Sequence, residues 1–422
     1  MPQPPVIQPM SLEHLALPRK QVMPNGVPLY LLDSTDKGVV RFDLLFKGGY
    51  AVQNKPLLAM FTNRMLREGA GSLSAAEISH RLDYYGAWID MYSSQNCNHI
   101  TLFTMSKHLV PLLDVLEDMV MRPLFPQDNL DTVRNNNKSH FSINSRKVDI
   151  VSQRYFENSL WGEDHPLGHI VEEADYDGIT RDDIIDYYNS YYGSRNCSMF
   201  VSGSVNDEIL AAITRCFGNA EWGCANECTS VQLALPSSMP GRRSIPVPGT
   251  MQSAVKIGLM VMDADHPDFY KFRFLTVLLG GYFGSRLMSN IREENGYTYH
   301  IAAELDAYGH RNAFMISSET ATTYVEPLIK EVYGELERLV NEPVCEEEIE
   351  LVRNYIMGEL CREYEGQSAR TEVFVNAWLS GVEFSSVNRY IDEIKSVTPE
   401  LLQSLAREYL KKENMVEIIA GV

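Results

Sequence analysis

Two side chains that donate hydrogen bonds lie seven residues apart in the segment 278–305, which reads LLGGYFGSRLMSNIREENGYTYHIAAEL. Its glycine-rich start predicts a tight turn, the pattern over 285–294 predicts a helix, and alternation over 297–305 predicts a strand. Arg292 then lies in the last helical turn and Tyr299 lies early in the strand. A helix-end arginine and a strand-start tyrosine at this spacing are able to converge on one spot beside a strand edge.

The residue types alone also allow ordinary interpretations of this segment. Arg292 fits a solvated cation at a helix end, where the helix dipole favours positive charge. Tyr299 fits an ordinary strand residue. The glycine-rich turn is not a phosphate loop, because it lacks the pattern G-x-x-x-x-G-K-S/T. The spacing by itself therefore leaves the role of this pair open.

The elements around the pair occur twice in the chain. Residues 180–203 and 398–421 align without a gap, at an offset of 398 − 180 = 218 residues. Each copy begins with a threonine followed two residues later by an acid, which is an N-cap signal, and continues with helical periodicity. In each copy an asparagine then precedes an apolar strand that ends in glycine. A second match, Pro123 with Pro343 at nearly the same offset, supports an internal duplication.

The duplication predicts two homologous domains, 1–225 and 251–422, joined by a linker at 226–250 that is rich in proline, glycine and serine. Each half carries the same order of strands and helices. Because strands and helices cluster in groups, we predict an α+β fold in which each domain is a sheet covered by helices, and not a doubly wound parallel sheet. The predicted strands are 27–33, 39–46, 98–105, 254–262 and 313–318. The predicted long helices are 128–161 and 345–363.

Composition narrows the function classes. The chain has 37 basic and 56 acidic residues, so its net charge is −19, while 45% hydrophobic and 22% charged residues are typical of a soluble globular protein. This charge argues against binding nucleic acid or an anionic membrane, and favours basic or neutral substrates. We expect no secretory signal and no spanning helix. Seven irregularly spaced cysteines predict no disulfide framework, so we expect a reducing compartment, the cytoplasm.

The segment 278–305 resembles the C-terminal-domain signature of the pitrilysin and mitochondrial processing peptidase family, zinc peptidases with an inverted zinc motif. In that family a Leu-Gly-Gly turn, a Ser-Arg-Leu helix start and an Arg-Glu…Gly-x-x-Tyr stretch recur. The matching residues here are Leu279-Gly280-Gly281, Ser285-Arg286-Leu287, Arg292-Glu293, Gly296 and Tyr299. The family's domains are also duplicated at about this size, so the resemblance spans most of the chain.

The resemblance implies a split active site. In the family, an N-terminal-type domain supplies H-x-x-E-H and a distant glutamate, which together bind zinc and activate a water molecule. The C-terminal-type domain supplies the arginine and the tyrosine, here Arg292 and Tyr299. These two residues would donate hydrogen bonds to the substrate carbonyls and, more strongly, to the tetrahedral oxyanion.

The zinc motif itself is missing. The stretch 55–69, KPLLAMFTNRMLREG, is similar to the family's zinc-motif region, and by that match Met60 and Arg64 replace the two histidines while Asn63 replaces the general base. The third ligand is expected near His140, yet 132–148 contains no carboxylate. Arginine is always protonated and only donates, so it would repel zinc. We therefore expect this chain to bind no metal.

Other candidates for metal or recognition sites favour ordinary roles. His165 and His169 come nearest to a zinc motif, but a proline and a glycine between them make a rigid helix there improbable. A pair of cysteines near the linker has no partnering ligands nearby. That pair is Cys224 and Cys228. Three further sets are predicted to have structural roles: Asp263, Asp265 and Asp268 as a strand end and helix N-cap, Glu346, Glu347 and Glu348 as a solvated first helical turn, and Tyr187, Tyr188, Tyr191 and Tyr192 as a helix face that packs on the sheet.

These observations lead to three functional hypotheses. The first is the zinc-free subunit of a heterodimeric zinc peptidase, which binds a peptide substrate and pairs with a homologous chain that carries H-x-x-E-H and the zinc. The second is a non-catalytic scaffold or peptide-binding core subunit of the same family. The third is a self-sufficient hydrolase with an unrecognised site. None of them requires a nucleic acid or a membrane, and the sequence leaves open whether the chain also forms a homodimer.

Overall fold

A computed structural model describes residues 12–33, 38–223 and 236–421 of the chain. These residues form two compact units. The first unit comprises residues 18–240 and 244–250, and the second comprises residues 251–421 with the short segments 12–17 and 241–243. Among the described helices, none is long and apolar enough to cross a membrane.

The first unit is built on a six-stranded mixed sheet with the strand order β1-β2-β8-β3-β7-β6, and a small two-stranded sheet, β4-β5, lies beside it. Its strands are β1 Arg19–Val22, β2 Pro28–Asp33, β3 Val39–Lys47, β4 Gly69–Ala70, β5 Leu73–Ser74, β6 Trp88–Ser93, β7 Cys97–Met105 and β8 Cys197–Gly203. Its helices are α1 Leu58–Met65, α2 Ala75–Tyr84, α3 Ser106–Met121, α4 Gln127–Asn144, α5 Val148–Trp161, α6 Glu173–Asp177, α7 Arg181–Tyr191 and α8 Asp207–Ile213.

Strand β3 is the centre of this sheet. It pairs antiparallel with β7 on one side and with β8 on the other, and β8 in turn pairs parallel with β2. All seven interior residues of β3 are buried, as expected for a strand covered on both faces. Alternate residues such as Phe42 and Leu44 point into the main apolar core, where helices such as α1 and α3 cover the sheet.

The second unit repeats this plan with a five-stranded sheet of order β11-β12-β10-β13-β9. Its strands are β9 Gly241–Ile245, β10 Gln252–Met260, β11 Thr298–Tyr308, β12 Arg311–Ala321 and β13 Val416–Ala420. Its helices are α9 Phe269–Gly280, α10 Val325–Asn341, α11 Glu346–Glu365, α12 Gln367–Leu379, α13 Ser385–Lys395 and α14 Pro399–Tyr409, and a π-helical turn spans Met288–Glu294.

Five strands of the two sheets correspond in order. Read from the other edge, the first sheet is β6-β7-β3-β8-β2-β1 and the second is β11-β12-β10-β13-β9, so the edge strand β1 has no counterpart. The central strand of the second sheet, β10, also pairs antiparallel with both neighbours. The predicted α+β fold of two homologous domains, each a sheet covered by helices, is therefore confirmed.

The repeated segments have the same local structure in both units. Thr180 accepts a hydrogen bond from the backbone N–H of Asp183 at the start of α7, and Thr398 accepts one from Leu401 at the start of α14. Each helix leads into a strand beside the central strand of its sheet, β8 or β13. The N-cap signals and the helix-to-strand order read from the sequence describe both copies.

Two elements differ from the sequence-based expectation. The long helix predicted over 128–161 is two helices, because the chain turns at 145–147 between α4 and α5. The segment 226–250, predicted as a linker, contains strand β9, whose Gly241 N–H donates to the carbonyl oxygen of Met415. Strand β9 lies beside β13, at the sheet position that β2 has beside β8 in the first unit.

Candidate functional site

Arg292 lies in a π-helical turn, which has more residues per turn than an α-helix. The backbone N–H of Asn295 donates to the carbonyl of Asn290 at 3.0 Å, a five-residue step, and that of Tyr297 donates to Ile291 at 3.0 Å. These bonds define the π-helical turn Met288–Glu294 at the end of the predicted helix. Such turns are rare and are frequent at functional sites. Here the turn ends one residue before the Asn-Gly stop that the sequence indicated.

Polar contacts with two other helices anchor this helical segment. The guanidinium of Arg286 donates to both carboxylate oxygens of Glu348 on α11, at 2.8 and 2.7 Å. The amide of Asn290 donates to Glu335 on α10 at 2.7 Å, and Glu335 is only 1% exposed. The hydrogen bonds that Arg286 donates to Glu348 raise the pKa of this arginine further above its ordinary value. The site arginine is therefore carried by a segment that is fixed at both turns.

The role of Glu348 corrects one sequence-based interpretation. The run Glu346-Glu347-Glu348 was expected to be a solvated first helical turn, and it does form the first turn of α11. The third residue, however, is a half-buried partner of Arg286. A bidentate arginine–carboxylate pair also fixes orientation, which a solvated glutamate does not.

The close approach of α9 to β11 requires a glycine in the Leu-Gly-Gly turn. A β-carbon at Gly280 would lie 2.4 Å from the backbone nitrogen of Ala303, well inside van der Waals contact. Gly280 ends α9, and Ala303 lies on β11 near the strand start that carries Tyr299. The glycine thus sets the distance between the helix and the strand that frame the site.

Tyr299 lies in a β-bulge. Thr298 pairs with Thr320 and Ile301 pairs with Ser318, so two residues of β11, Tyr299 and His300, stand opposite one residue of β12. A bulge redirects side chains and is common next to active sites. The sequence pattern indicated a regular strand here and did not predict this irregularity.

Three hydroxyl groups hold the bulge in place. Thr298 Oγ1 donates to the carbonyl of Glu319 at 2.5 Å, Ser318 Oγ donates to that of His300 at 2.9 Å, and Thr320 Oγ1 donates to that of Tyr297 at 2.6 Å. These bonds satisfy carbonyl groups that the interrupted ladder leaves without strand partners. The position of Tyr299 is thereby determined by side chains as well as by the sheet.

The structure brings Arg292 and Tyr299 together. The Arg292 guanidinium carbon lies 4.9 Å from the centre of the Tyr299 ring and 4.6 Å from that of Phe283, so the cation is held between two aromatic faces. Tyr299 is 85% exposed and Phe283 is 60% exposed. Within the described part of the chain, neither the guanidinium nor the phenol donates a hydrogen bond to another group. Both are thus available to an external acceptor.

Phe283 is a site residue that the sequence interpretation missed. It lies in the glycine-rich turn, between Gly281 and Gly284, and glycine-flanked aromatics often have only a structural role. The available signal was only the placement of a large aromatic residue within a glycine-rich turn. Its contact with Arg292 comes from the tertiary approach of turn and helix.

The positions that replace the zinc motif lie on α1, in the first unit. Asn63 is 1% exposed, and its amide donates to the carbonyls of Tyr92 at 2.8 Å and His99 at 3.0 Å, which ties α1 to β6 and β7. Arg64 is exposed, and Met60 is partly buried against the apolar core. The residue at the general-base position is therefore a structural donor.

These residues do not fit a zinc ion. Zinc takes histidine, cysteine or carboxylate ligands, whereas this surface of α1 offers a thioether, an amide whose N–H groups are already used, and a cation. His140, near which the third ligand was expected, is exposed on α4. No step of a reaction is assigned to a metal on this chain.

One group of potential metal ligands occurs elsewhere among the described residues, formed by Asp114, Glu117 and Cys216. Asp114 forms an ion pair with Arg215 at 2.7 Å. Burial, followed by the hydrogen bond with Glu117, raises the pKa of the Cys216 thiol to about 12, so the sulfur stays protonated at neutral pH. Asp114 is already paired with Arg215, and this group is a surface ion-pair cluster.

The remaining candidates have the ordinary roles predicted for them. His165 is buried, stacks on Trp161 and accepts a hydrogen bond from Leu167, while His169 pairs with Asp175 at 2.9 Å. They lie in a loop and not on one helix face. Asp268 is the N-cap residue of α9 and accepts a hydrogen bond from Tyr409, and the tyrosines of α7 pack inward on the sheet. Cys224 and Cys228 lie outside the described residues.

The duplicated helix-covered sheets, together with the Arg–Tyr pair and the degenerate motif on α1, define an inverted-zinc-motif peptidase fold without its metal site. Comparison with known families agrees. Residues 178–356 match the family model described as "Peptidase M16 inactive domain". This part of the chain is similar to an M16 peptidase domain, and the predicted resemblance is confirmed.

The names of similar proteins include both proteases and a non-peptidase homologue. It is 20% identical over 366 residues to "Uncharacterized zinc protease YmxG" of Bacillus subtilis, with 86% of this chain and 88% of the relative covered. It is 20% identical to "Non-peptidase homolog YmxG" of Helicobacter pylori, with 92% and 90% covered. It is 21% identical to "Mitochondrial-processing peptidase subunit alpha-1" of Dictyostelium discoideum, with 47% of this chain and 31% of that subunit covered.

Among solved structures, the fold is similar to that of a peptidase M16 inactive domain from Pseudomonas fluorescens. The TM-score is 0.83 at 20% sequence identity, and the match covers 96% of this chain and 98% of the other. At this identity the likeness supports the fold. The chain thus has an M16-like fold in which the positions matching the zinc motif are Met60, Asn63 and Arg64.

Proposed function

We propose that this chain is the zinc-free subunit of a heterodimeric zinc peptidase. Its partner is a homologous chain that carries H-x-x-E-H and binds the zinc. The observation that carries the proposal is the exposed Arg292–Tyr299 pair, whose donors have no acceptor among the described residues. The cytoplasm is the proposed location, on the sequence features given above.

The chemistry of the pair suits a peptide under attack by water. A guanidinium and a phenol both donate hydrogen bonds, and donors aimed at a carbonyl oxygen bind more strongly once that oxygen becomes an anion. In the partner, the zinc would polarise the carbonyl and activate the water. This chain would supply the donors that hold the peptide and stabilise the developing charge. Its net charge of −19 favours basic peptides.

Three observations support a division of labour between two chains. The first is that the α1 positions do not fit zinc. The second is that several contacts hold Arg292 and Tyr299 in place, namely the Arg286–Glu348 pair and the hydroxyl groups of the bulge. A scaffold has no need of such a pair on its surface. A relative named as a subunit of a processing peptidase also matches this chain.

The second candidate is a non-catalytic scaffold or peptide-binding core subunit. The name of the Helicobacter pylori relative, a non-peptidase homologue, favours it. In that case Arg292 would serve only to join Phe283 and Tyr299 by cation–π contacts, and removal of the phenol oxygen would leave any associated activity unchanged.

One experiment tests both candidates. The chain is purified with an H-x-x-E-H homologue, the first choice being one encoded beside it, and hydrolysis of a mixed peptide pool is measured. Tyr299→Phe should lower turnover by ~10²-fold or more, since an oxyanion donor is lost. Tyr84→Phe is the matched control, because Tyr84 is 76% exposed and lies in the other unit.

The outcomes separate the two candidates. A zinc-containing pair that is inactivated by Tyr299→Phe and unaffected by Tyr84→Phe supports the catalytic subunit. An active pair in which Tyr299→Phe has near-normal turnover rejects the assigned role and favours the scaffold. The chain alone should bind no zinc after brief exposure and desalting; one zinc per chain, with hydrolysis that a chelator abolishes, would overturn both.

A further inference from the structure

A second concave site lies in the first unit, where the helix pair α4–α5 faces the segment after β9. It is an open cavity of about 540 Å³, within the range of small-ligand sites. One wall is the extended stretch 245–248, Ile-Pro-Val-Pro, and the other is formed by α5 and by Ile170. All its lining residues belong to the first unit.

The charged groups of this cavity are two arginines, and Ser145 and Tyr155 add hydroxyl groups to its lining. Arg146 follows the end of α4, and Arg154 lies on α5, one turn beyond the lining residue Val151. The lining contains no aspartate or glutamate, although the chain as a whole carries 56 acidic and 37 basic residues. The lining of this cavity is therefore positively charged, although the chain as a whole is negatively charged.

Neither arginine forms an ion pair with a described residue. Arg154 is half-buried, with its guanidinium carbon 4.7 Å from the centre of the Phe141 ring, and burial lowers its pKa although Tyr176 and Glu157 act in the opposite direction. The carboxylate of Glu157 instead accepts a hydrogen bond from Gln153. The guanidinium of Arg154 forms no hydrogen bond to a carboxylate of the described residues, while Arg146 is exposed at the rim.

We propose that this cavity binds the C-terminal carboxylate of a peptide that ends in apolar residues. Arginine recognises a carboxylate through paired, charge-assisted hydrogen bonds, and a second arginine increases the selectivity for the anion. The apolar wall of Ile245, Val247 and the two prolines would cover the side chains that precede the carboxylate. Fatty acids share this chemistry, so the test must separate the two sources.

The test uses the full chain alone, in the absence of any partner or metal. Isothermal titration calorimetry measures binding of N-acetyl-Ala-Val-Leu, of the same peptide with a C-terminal amide, and of octanoate. We expect saturable binding of the free acid with a dissociation constant below about 1 mM. Removal of the charge-assisted bonds, either by the amide or by Arg146→Gln or Arg154→Gln, should weaken binding by ~10-fold or more.

The control is Arg81→Gln, which removes an exposed positive charge on α2, outside the cavity lining, and should leave affinity unchanged. Arg146 is exposed, so its variant tests the site without disturbing the Phe141 stack. Absence of saturable binding, equal binding of acid and amide, or an equal loss in Arg81→Gln would overturn the proposal. Tight binding of octanoate with none of the peptide would overturn the peptide assignment. Because the assay needs neither turnover nor Arg292 and Tyr299, its failure leaves the proposed function untouched.

Discussion

Acid is expected to destabilise the first unit through one buried imidazole, that of His99 on β7. The His99 side chain is 1% exposed, its ring stacks on Tyr92 with 4.2 Å between centroids, and Nε2 lies 3.1 Å from Ser94 Oγ. Burial, with a smaller contribution from the positive charge of Arg41, lowers the pKa of His99 from 6.5 to about 3. The folded protein therefore keeps the ring neutral where the unfolded chain binds a proton.

The size of the effect follows from this difference in pKa. Because the folded pKa is lowered, the stability that depends on neutral His99 is fully present above the unfolded pKa of about 6.5. It is lost progressively as the pH falls from there toward 3. Integrating the difference in bound protons between pH 7 and pH 5 gives a loss of about 2 kcal/mol from this residue alone.

Urea unfolding at pH 7 and at pH 5 measures this loss in the wild type, in His99→Gln and in His140→Gln. His99→Gln changes stability at both pH values because the stack on Tyr92 is altered, yet the drop between them should be smaller than in the wild type by about 2 kcal/mol. His140→Gln removes an exposed imidazole on α4 and should retain the wild-type drop. An equal drop in His99→Gln and the wild type would refute the reasoning.

Two further predictions concern residues that hold secondary-structure elements together. Asn63→Asp replaces a buried amide that donates two hydrogen bonds by a group that only accepts them at pH 7. Urea unfolding at pH 7 should show that the free energy of unfolding falls by about 2–5 kcal/mol in this variant and by about 0.5 kcal/mol or less in the exposed control Asn135→Asp. Equal stability of these two variants would mean that Asn63 is not a structural donor. Gly280→Ala should lower the melting temperature, because its β-carbon would lie 2.4 Å from Ala303 N, whereas Gly334→Ala in α10, with open space around it, should raise stability by about 0.5–1 kcal/mol. An unchanged melting temperature in Gly280→Ala would contradict the packing argument.

Much of the fold was predictable because it depends on local patterns that occur twice. The threonine caps at Thr180 and Thr398, the apolar strands that follow them and the shared offset of 218 residues indicated two related domains. The turn at 145–147 was missed, since its Ser-Arg-Lys sequence contains neither proline nor glycine and continues a plausible helix. Strand β9 was missed because a short basic strand after prolines looks like a linker.

The candidate site was also predictable from the sequence only in part. The convergence of Arg292 and Tyr299 was predictable, because a helix stop and a strand start fix their spacing. The bulge at Tyr299 was not, since two of the three hydroxyl groups that hold it come from β12, some twenty residues further along the chain. The partner of Arg286 lies 62 residues away on α11, beyond the reach of any local pattern.

Residue types alone establish that the α1 positions lack zinc ligands, since no fold turns methionine, asparagine and arginine into a metal site. They also establish the duplication and the acidic character of the chain. Only the tertiary structure assigns Asn63 its role as a donor to two strands, and only it places Arg146 and Arg154 at one cavity with Pro246. The physical reason is that composition and periodicity are properties of local sequence, whereas burial and hydrogen-bond partners depend on which distant segments of the chain come into contact.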